Sequence, residues 1–375
     1  MSQTLSSSRP YIGGQAVLEG VMMRAPKSFA VVVRRRDGSL QVRERAMAVR
    51  ARGFAGWPLV RGIATLVESL RLGGEALRFS ADWLERDLAA EGAAAGGAVL
   101  GVLGAFGLSL FTWATADVAG DPPPPHAEKR SRGGWVMLLV ALGFLVALPQ
   151  GAAAGINRLL HLGLEVQSAP FQAMTGALKL VIVVGYLLAI RRVPEIRRVF
   201  QYHGAEHKTI STYEAGEALT VANARLKTTM HPRCGTTFLV MVALVSIVVF
   251  TAVGASLPRI HTGSALADNA IFLLEKLPFL PVLVAVTFEL QRVLARYCAT
   301  GPMRALLAPG FVVQKITTAE PDDSQLEVAL ASLRVTLFRQ GRADDASSGG
   351  EDDVTFATYD SLLAAASLRH AEPSA

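Results

Sequence analysis

Two kinds of residue are scarce in this chain of 375 amino acids, and each scarcity narrows the choices. Charged residues make up 18%, against about 25% in soluble domains. They are unevenly placed: long stretches hold almost none, and arginines cluster between them. Multi-span membrane proteins distribute charge in this way. The class expected is an integral protein of a bacterial-type cytoplasmic (inner) membrane, with the lipid bilayer as its surroundings. Cysteine occurs twice, as Cys234 and Cys298. Two are too few for a disulfide framework, so secretion is not implied. Met1 to Pro10 are polar, with no apolar core behind a basic start, so no cleavable signal peptide is expected. Helix-turn-helix and RNA-binding signatures are also missing. The net charge of +6 is therefore read as basic loops held at the cytoplasmic side against anionic lipid. No nucleic-acid partner is expected.

What is present is apolar sequence in blocks. A crossing needs about 20 apolar residues. Five segments qualify: Val99 to Ala116, Trp135 to Ile156, Met174 to Ile190, Phe238 to Ser256 and Ile271 to Leu290. Lys179, near the start of the third, is expected to snorkel. Glu275 and Lys276 in the fifth are expected to form an interfacial pair. Asp121 and the four prolines after it make a stiff linker. The stretch Arg191 to Arg233 carries six arginines and two lysines, whereas the loop after the fourth segment has only Arg259. The N-terminal region, the 191–233 loop and the C-terminus should thus be cytoplasmic. Three crossings cannot return a chain to the face it left. One of the first three segments is therefore expected not to span, with Val99 to Ala116 the candidate as a re-entrant or half-buried helix. Four or five crossings both stay open.

The fold class expected is mainly α: multi-pass membrane helices, a small N-terminal β-hairpin and a cytoplasmic helical loop region. Phe29 to Arg45 reads as two strands around Asp37-Gly38. Gly13 to Arg24 reads as a tightly packed loop. Leu59 to Phe79 reads as an amphipathic helix, lying at the interface or packed on the soluble part, because Arg61 and Arg71 exclude a crossing. Ser324 to Glu327 reads as a capping box. It opens a helix whose stripe of Leu326, Leu330, Leu333 and Leu337 docks on the cytoplasmic part. The organisation expected is a disordered start (1–10), a cytoplasmic region (11–95), three apolar segments (96–190), a cytoplasmic loop (191–236), two further segments (237–298), a cytoplasmic C-terminal helix (299–338) and a disordered tail (339–375).

The 191–236 loop holds the chemistry. His203, Glu206 and His207 form His-x-x-Glu-His, and residues four apart on a helix share a face. Two imidazoles there suit one metal ion, with Glu206 beside them as general base, in inverted zincin order. The bland alternative is a hydrated helix with two ordinary histidines. His231 and Cys234 follow just before the fourth apolar segment, and both are zinc-ligand types. His231 is the expected third ligand and Cys234 an optional fourth, although a lone cysteine is more often an inert small hydrophobe. Glu289 is an alternative ligand, or a partner for Arg292. Glu19 is a weaker carboxylate candidate. Glu214 reads as an ordinary surface acid, and His126, His161, His261, His370 and Cys298 as bland.

The chain resembles the bacterial YqhQ-like family, a domain of unknown function whose members are often labelled predicted metal-dependent enzymes. The resemblance rests on Gly13 to Arg24, Phe200 to Lys208, Leu219 to Arg225, His231 to Thr236 and Thr317 to Asp323, and runs from about Tyr11 to Leu337. It implies a multi-pass membrane protein with a cytoplasmic metal-type site, and supplies no substrate. The leading expectation is a membrane-embedded, metal-dependent hydrolase, zinc being the metal most in keeping with the ligands. If Cys234 is a fourth protein ligand, the site closes and is structural. The alternative is then a non-enzymatic membrane assembly or regulatory factor. A transporter fits less well, because no internal repeat is found. The substrate or protein partner is not identified by sequence.

Overall fold

The computed structural model describes residues 9–47, 56–91, 143–254, 256–257, 262–298, 302–342 and 351–365. The chain is mainly helical, with one antiparallel sheet. Its strands are β1 (Gly13–Val17), β2 (Gly20–Ala25), β3 (Ser28–Arg34), β4 (Leu40–Ala46) and, near the C-terminus, β5 (Glu351–Phe356). The helices are α1 (Val60–Ala90), α2 (Leu148–Leu159), α3 (Ala169–Ile190), α4 (Pro194–Ala215), the short α5 (Val221–Arg225) and α6 (Gly235–Gly254). They continue with α7 (Ala265–Lys276), α8 (Leu280–Tyr297), α9 (Ala308–Thr317), α10 (Asp323–Gly341) and α11 (Tyr359–Ala364).

The sheet runs in the order β1-β2-β3-β4-β5. The hairpin expected over Phe29 to Arg45 is β3–β4. The Gly13 to Arg24 stretch, expected as a loop, is instead a second hairpin, β1–β2. Its strand character was masked because both faces of this sheet are covered, so apolar residues do not alternate with polar ones. Val17, Met22, Phe29, Val31 and Val33 face α1 through Leu72, Ala76 and Phe79. Ala16, Val21, Met23, Ala30 and Val32 face the opposite side, where α10 and α4 pack.

α10 lies at the centre of this head. Leu326, Leu330 and Leu333 are buried as expected, but so are Val328, Ala329, Ser332 and Thr336, so the helix is enclosed on nearly every side. Its capping box is made by Asp322 with Gln325. Ser324 and Glu327, expected in those roles, bond to Asp322 and Arg34 instead. The 339–375 tail, expected to be disordered, contains β5 and α11. One of the acidic residues that suggested disorder lies opposite an arginine: Arg43 pairs with Asp353 at 2.8 Å across the β4–β5 ladder. Opposite charges in that register support the pairing.

Among the described residues, three helical stretches are long and apolar enough to cross a membrane: Ala169–Ile190, Gly235–Gly254 and Ala267–Ala295, the last being α7 and α8 joined by a 3₁₀ turn at Leu277–Phe279. They coincide with the third, fourth and fifth segments read from sequence. α3 and α6 meet closely at Gly176, where a Cβ would lie 2.1 Å from Ile247 Cγ1. Val99 to Ala116 and the proline linker lie outside the described residues, as does the start of Trp135 to Ile156. α1 is longer than expected. It packs between the sheet and α8, tied by Arg24–Glu68 and Arg61–Glu289 pairs.

Candidate metal centre

α4 opens with Pro194 in its first turn and ends at Gly216, whose φ of 75° closes it in the left-handed region. Between these signals the helix is regular, so His203 and His207 stack on one face with ring centroids 4.4 Å apart. Cys234 arrives from a separate part of the chain, immediately before α6. Its turn is clamped by Gln314 of α9. The Gln314 amide accepts from the His231 N–H at 2.8 Å, and donates to the His231 carbonyl at 2.8 Å and the Thr237 hydroxyl at 2.6 Å. Gln291 of α8 donates to the Cys234 carbonyl at 3.3 Å. The clamped turn puts Cys234 Sγ 3.2 Å from His203 Nε2. One donor atom each from His203, His207 and Cys234 lie within 4.8 Å of one another.

The far side of each imidazole fixes its tautomer. His203 Nδ1 is 2.9 Å from the Thr317 carbonyl, and His207 Nδ1 is 2.5 Å from the Thr229 carbonyl. A carbonyl only accepts, so both Nδ1 atoms carry the proton and both Nε2 lone pairs are available to the cluster. Histidine ligands of metals are usually oriented in this way. The sulfur receives the Thr236 N–H at 3.4 Å, with the Thr236 hydroxyl 3.0 Å away.

Charge follows geometry. Burial alone would raise the Cys234 thiol, but His203 and His207 hold it well below its usual range. Burial alone would lower His203, but the sulfur, then Glu206 and the Thr317 carbonyl, drive it up to about 9. Without metal the two therefore form a thiolate–imidazolium pair. This donor set fits a borderline-soft divalent ion such as zinc.

Glu206 is 5% exposed, and no hydrogen bond to its carboxylate is found among the described residues. Burial pushes its pKa up, and His207 and His203 only partly counter this. It fits because β1 offers Gly14 opposite: a Cβ there would sit 2.7 Å from Glu206 Oε1. The Gly-rich stretch thus meets the site through Gly14. Glu19, its expected contributor, sits in the β1–β2 turn with φ 52° and pairs with Arg198 at 2.6 Å.

His231, the expected third ligand, comes near: its ring centroid is 5.7 Å from that of His207. Its Nε2, however, is 3.3 Å from Glu214 Oε2. Burial keeps this imidazole below its ordinary pKa, so the contact is a hydrogen bond of a neutral ring. Glu214, expected as a plain surface acid, also pairs with Arg233 and walls one side of the site. Glu289 is taken up by Arg61 of α1 at 2.6 Å and by the Leu59 N–H, and is not brought to the cluster. Cys298 is free and buried. His126, His261 and His370 lie outside the described residues.

Sequence reasoning passed over Gln314, Thr229, Thr236 and Thr317. Two signals were available: Thr236 and Thr317 stand inside the blocks that carry the family resemblance. Gln314 and Thr229 touch the site only through tertiary packing and carry no local pattern.

Comparison with known proteins bears on the whole chain. Residues 57–338 match a family model described as a protein of unknown function, DUF1385. The uncharacterized protein YqhQ of Bacillus subtilis (strain 168) is 27% identical over 337 residues, covering 88% of this chain and 92% of that protein. No solved structure matches. The chain belongs to the DUF1385 family of YqhQ-like proteins.

Proposed function

We propose that the protein is a multi-pass inner-membrane, metal-dependent hydrolase whose His203–His207–Cys234 site binds one divalent ion, zinc by its donor set, on the cytoplasmic face. The observation that carries this reading is the Glu206 carboxylate, buried and without a hydrogen-bond partner beside three convergent ligand atoms. Three protein ligands leave a fourth position open, as catalytic zinc sites do. The ion would supply Lewis acidity there. Glu206, its pKa raised by burial, is a better proton acceptor than an ordinary carboxylate and is suited to act as the general base. Gly14 keeps the space that carboxylate needs. Thr317 and Thr229 hold the imidazoles in the ligating tautomer.

The topology follows from how the helices meet the head. α3 ends, α6 begins and α8 ends beside the cluster, because Gln291 of α8 reaches Cys234 and α4 follows α3 after three residues. These three stretches alternate in direction, as three successive crossings would. The sheet and α1 lie with the cluster, so this reading requires an odd number of crossings between α1 and α3, which is the expectation that one apolar segment there does not span. The arginines of 191–233 assign the cluster side to the cytoplasm.

A structural zinc site in an assembly factor is the second reading. The burial of His207 and Cys234, 1% and 5% exposed, favours it. Cobalt-substituted full-length protein in detergent separates the two. Each chain should hold one metal ion, lost on His203→Ala, His207→Ala or Cys234→Ala and kept on Glu206→Gln. Acetohydroxamate should shift the cobalt bands if a position is open, and an unchanged spectrum would favour the structural reading. Retention of metal by Cys234→Ala would sink the ligand assignment. Reporter fusions after Arg198 and Arg339 should read cytoplasm and one near Gly263 outside; a cytoplasmic signal at Gly263 would reverse the orientation.

A further inference from the structure

The apolar helices enclose a second polar cluster that the metal centre does not use. A cavity of about 30 Å³ lies between α3, α6 and the α7–α8 stretch; Lys179, Lys276 and Ser246 reach it, and most of its wall is apolar, from residues such as Phe250, Ile247 and Leu280. Sequence position suggested that Lys179 would snorkel, but α3 begins at Ala169, which leaves Lys179 in mid-helix. Its Nζ donates to Ser246 Oγ at 3.3 Å. Lys276 is 4% exposed and donates to Gln150 Oε1 at 2.9 Å. Its Nζ also lies 4.5 Å and 5.3 Å from the Phe272 and Phe250 ring centroids. The expected Glu275–Lys276 pair does not form: Glu275 Oε2 is buried without a partner, and no carboxylate bridges to either lysine among the described residues.

Depth can be read on two helices independently. Lys179 precedes the end of α3 by eleven residues, and Ser246 follows the start of α6 by eleven. At 1.5 Å per residue each lies roughly 16 Å from the metal-centre end. If these helices cross a bilayer, as proposed above, that is the middle of a hydrocarbon core about 30 Å thick. Ionisable groups at that depth are costly and mark binding or transport sites more often than structural ones. An ammonium has three donors, and each lysine uses one on a neutral oxygen. Two like charges facing one small cavity are best satisfied by a shared anion.

We propose that Lys179 and Lys276 form an intramembrane anion site, sized for one anionic centre: a halide, or a single oxygen of a carboxylate or phosphate headgroup. A free inorganic ion presents that chemistry directly; an anionic lipid presents it only if its headgroup is drawn roughly 15 Å inward from the interface, and the test separates the two. The full-length protein in a neutral detergent tests it. Thermal unfolding in sodium chloride is compared with sodium gluconate at equal ionic strength, and equilibrium dialysis with radiolabelled chloride counts bound ions. Native mass spectrometry compares retention of phosphatidylglycerol with that of phosphatidylcholine. A chloride-specific rise in Tm with one ion bound per chain assigns the free anion. Selective retention of phosphatidylglycerol without a chloride response assigns the lipid. In either case Lys276→Met and, independently, Lys179→Met should weaken binding at least tenfold while the metal content stays unchanged. Two variants are used so that one folding failure leaves the other readable. If neither chloride nor phosphatidylglycerol binds, or if binding survives in a folded lysine variant, the proposal is overturned.

Discussion

The two buried polar clusters differ in sign and in bracing. In the head, acceptors converge: two imidazole nitrogens and a sulfur, with a carboxylate beside them. Among the apolar helices, two ammonium donors converge, with the Ser246 hydroxyl accepting from one of them. The head cluster is held from behind, each imidazole by a backbone carbonyl and the cysteine turn by Gln314 and Gln291. Among the described residues, the cluster between the apolar helices has one polar bond per lysine. A cation site needs directional lone pairs fixed in place, which takes a rigid surround. An anion site between ammonium groups needs only charge and room, since each ammonium turns freely about its stem.

The bracing difference is most exposed at Gln314. Replacing it with leucine leaves the His231 N–H buried and unpaired, at about 1–3 kcal/mol, and the His231 carbonyl with only the Cys234 N–H at 3.4 Å. Gln314→Leu should therefore lower stability by roughly 1–3 kcal/mol, read by unfolding in detergent. Metal affinity should weaken about 10–100-fold, the range for loss of an orienting partner. The response of the lysine cavity to chloride or lipid should not change, because the sites share no residue. Loss of both responses together would show the two clusters to be one cooperative unit.

Removing the metal gives the next largest effect. In folded metal-free protein Cys234 releases its proton well below the usual 9.0, and His203 holds its proton up to about 9 instead of 6.5. Between pH 6.5 and 9 the proton lost by sulfur on folding matches the one gained by imidazole, so this pair adds no pH slope to stability there. Below 6.5 the unfolded chain binds the extra proton at sulfur, so stability should fall as pH falls through the folded thiol's range. Thiolate absorbance in a Cys298→Ser background should persist at neutral pH. It should shift toward the ordinary thiol range in His203→Asn. A normal thiol titration in the metal-free protein would remove the paired-charge description.

The same contrast explains what was legible in the sequence. His203 and His207 are four apart on one helix, and the three apolar helices are continuous runs, so local periodicity exposed both. The β1–β2 hairpin was hidden because covering both sheet faces erases polar–apolar alternation. β5 was hidden because its Asp353 pairs with Arg43, which is distant in sequence. His231 looked like the better third ligand by residue type. That Cys234 converges with the two imidazoles depends on the turn geometry that Gln314 imposes. Lys179 was misplaced because its helix starts earlier than its apolar run, and Lys276 because its partner, Gln150, lies 126 residues away.

Gly14 offers a finer cut within the head. A methyl group there would overlap Glu206 Oε1 at 2.7 Å, and overpacking of this kind costs about 1–3 kcal/mol. Gly14→Ala should destabilise by that amount in the parent and by much less in a Glu206→Ala background, where the overlapping carboxylate is gone. Metal content should be unchanged, since neither residue is a ligand. Equal destabilisation in both backgrounds would mean that Gly14 serves the strand and not the carboxylate.

The smallest effect is expected at Glu19, the one acidic residue of the Gly-rich stretch and the one set apart from both clusters. It pairs with Arg198, whose side chain is 51% exposed. Exposed pairs of this kind contribute about 0.2–1 kcal/mol. Glu19 also occupies the left-handed region at φ 52°, which disfavours L-residues by roughly 1–2 kcal/mol and leaves glycine unaffected. Glu19→Gln, which keeps the strained backbone and loses the charge, should cost under about 1 kcal/mol. Glu19→Gly loses the same pair but relieves the turn, so it should be the more stable of the two variants. Both should bind metal and anion as the parent does, measured by metal content and by the chloride or lipid response. A loss of metal in Glu19→Gln alone would show that the carboxylate reaches the His203–His207 face through Tyr202, whose hydroxyl lies 3.4 Å from Glu19 Oε2, and would return Glu19 to the site.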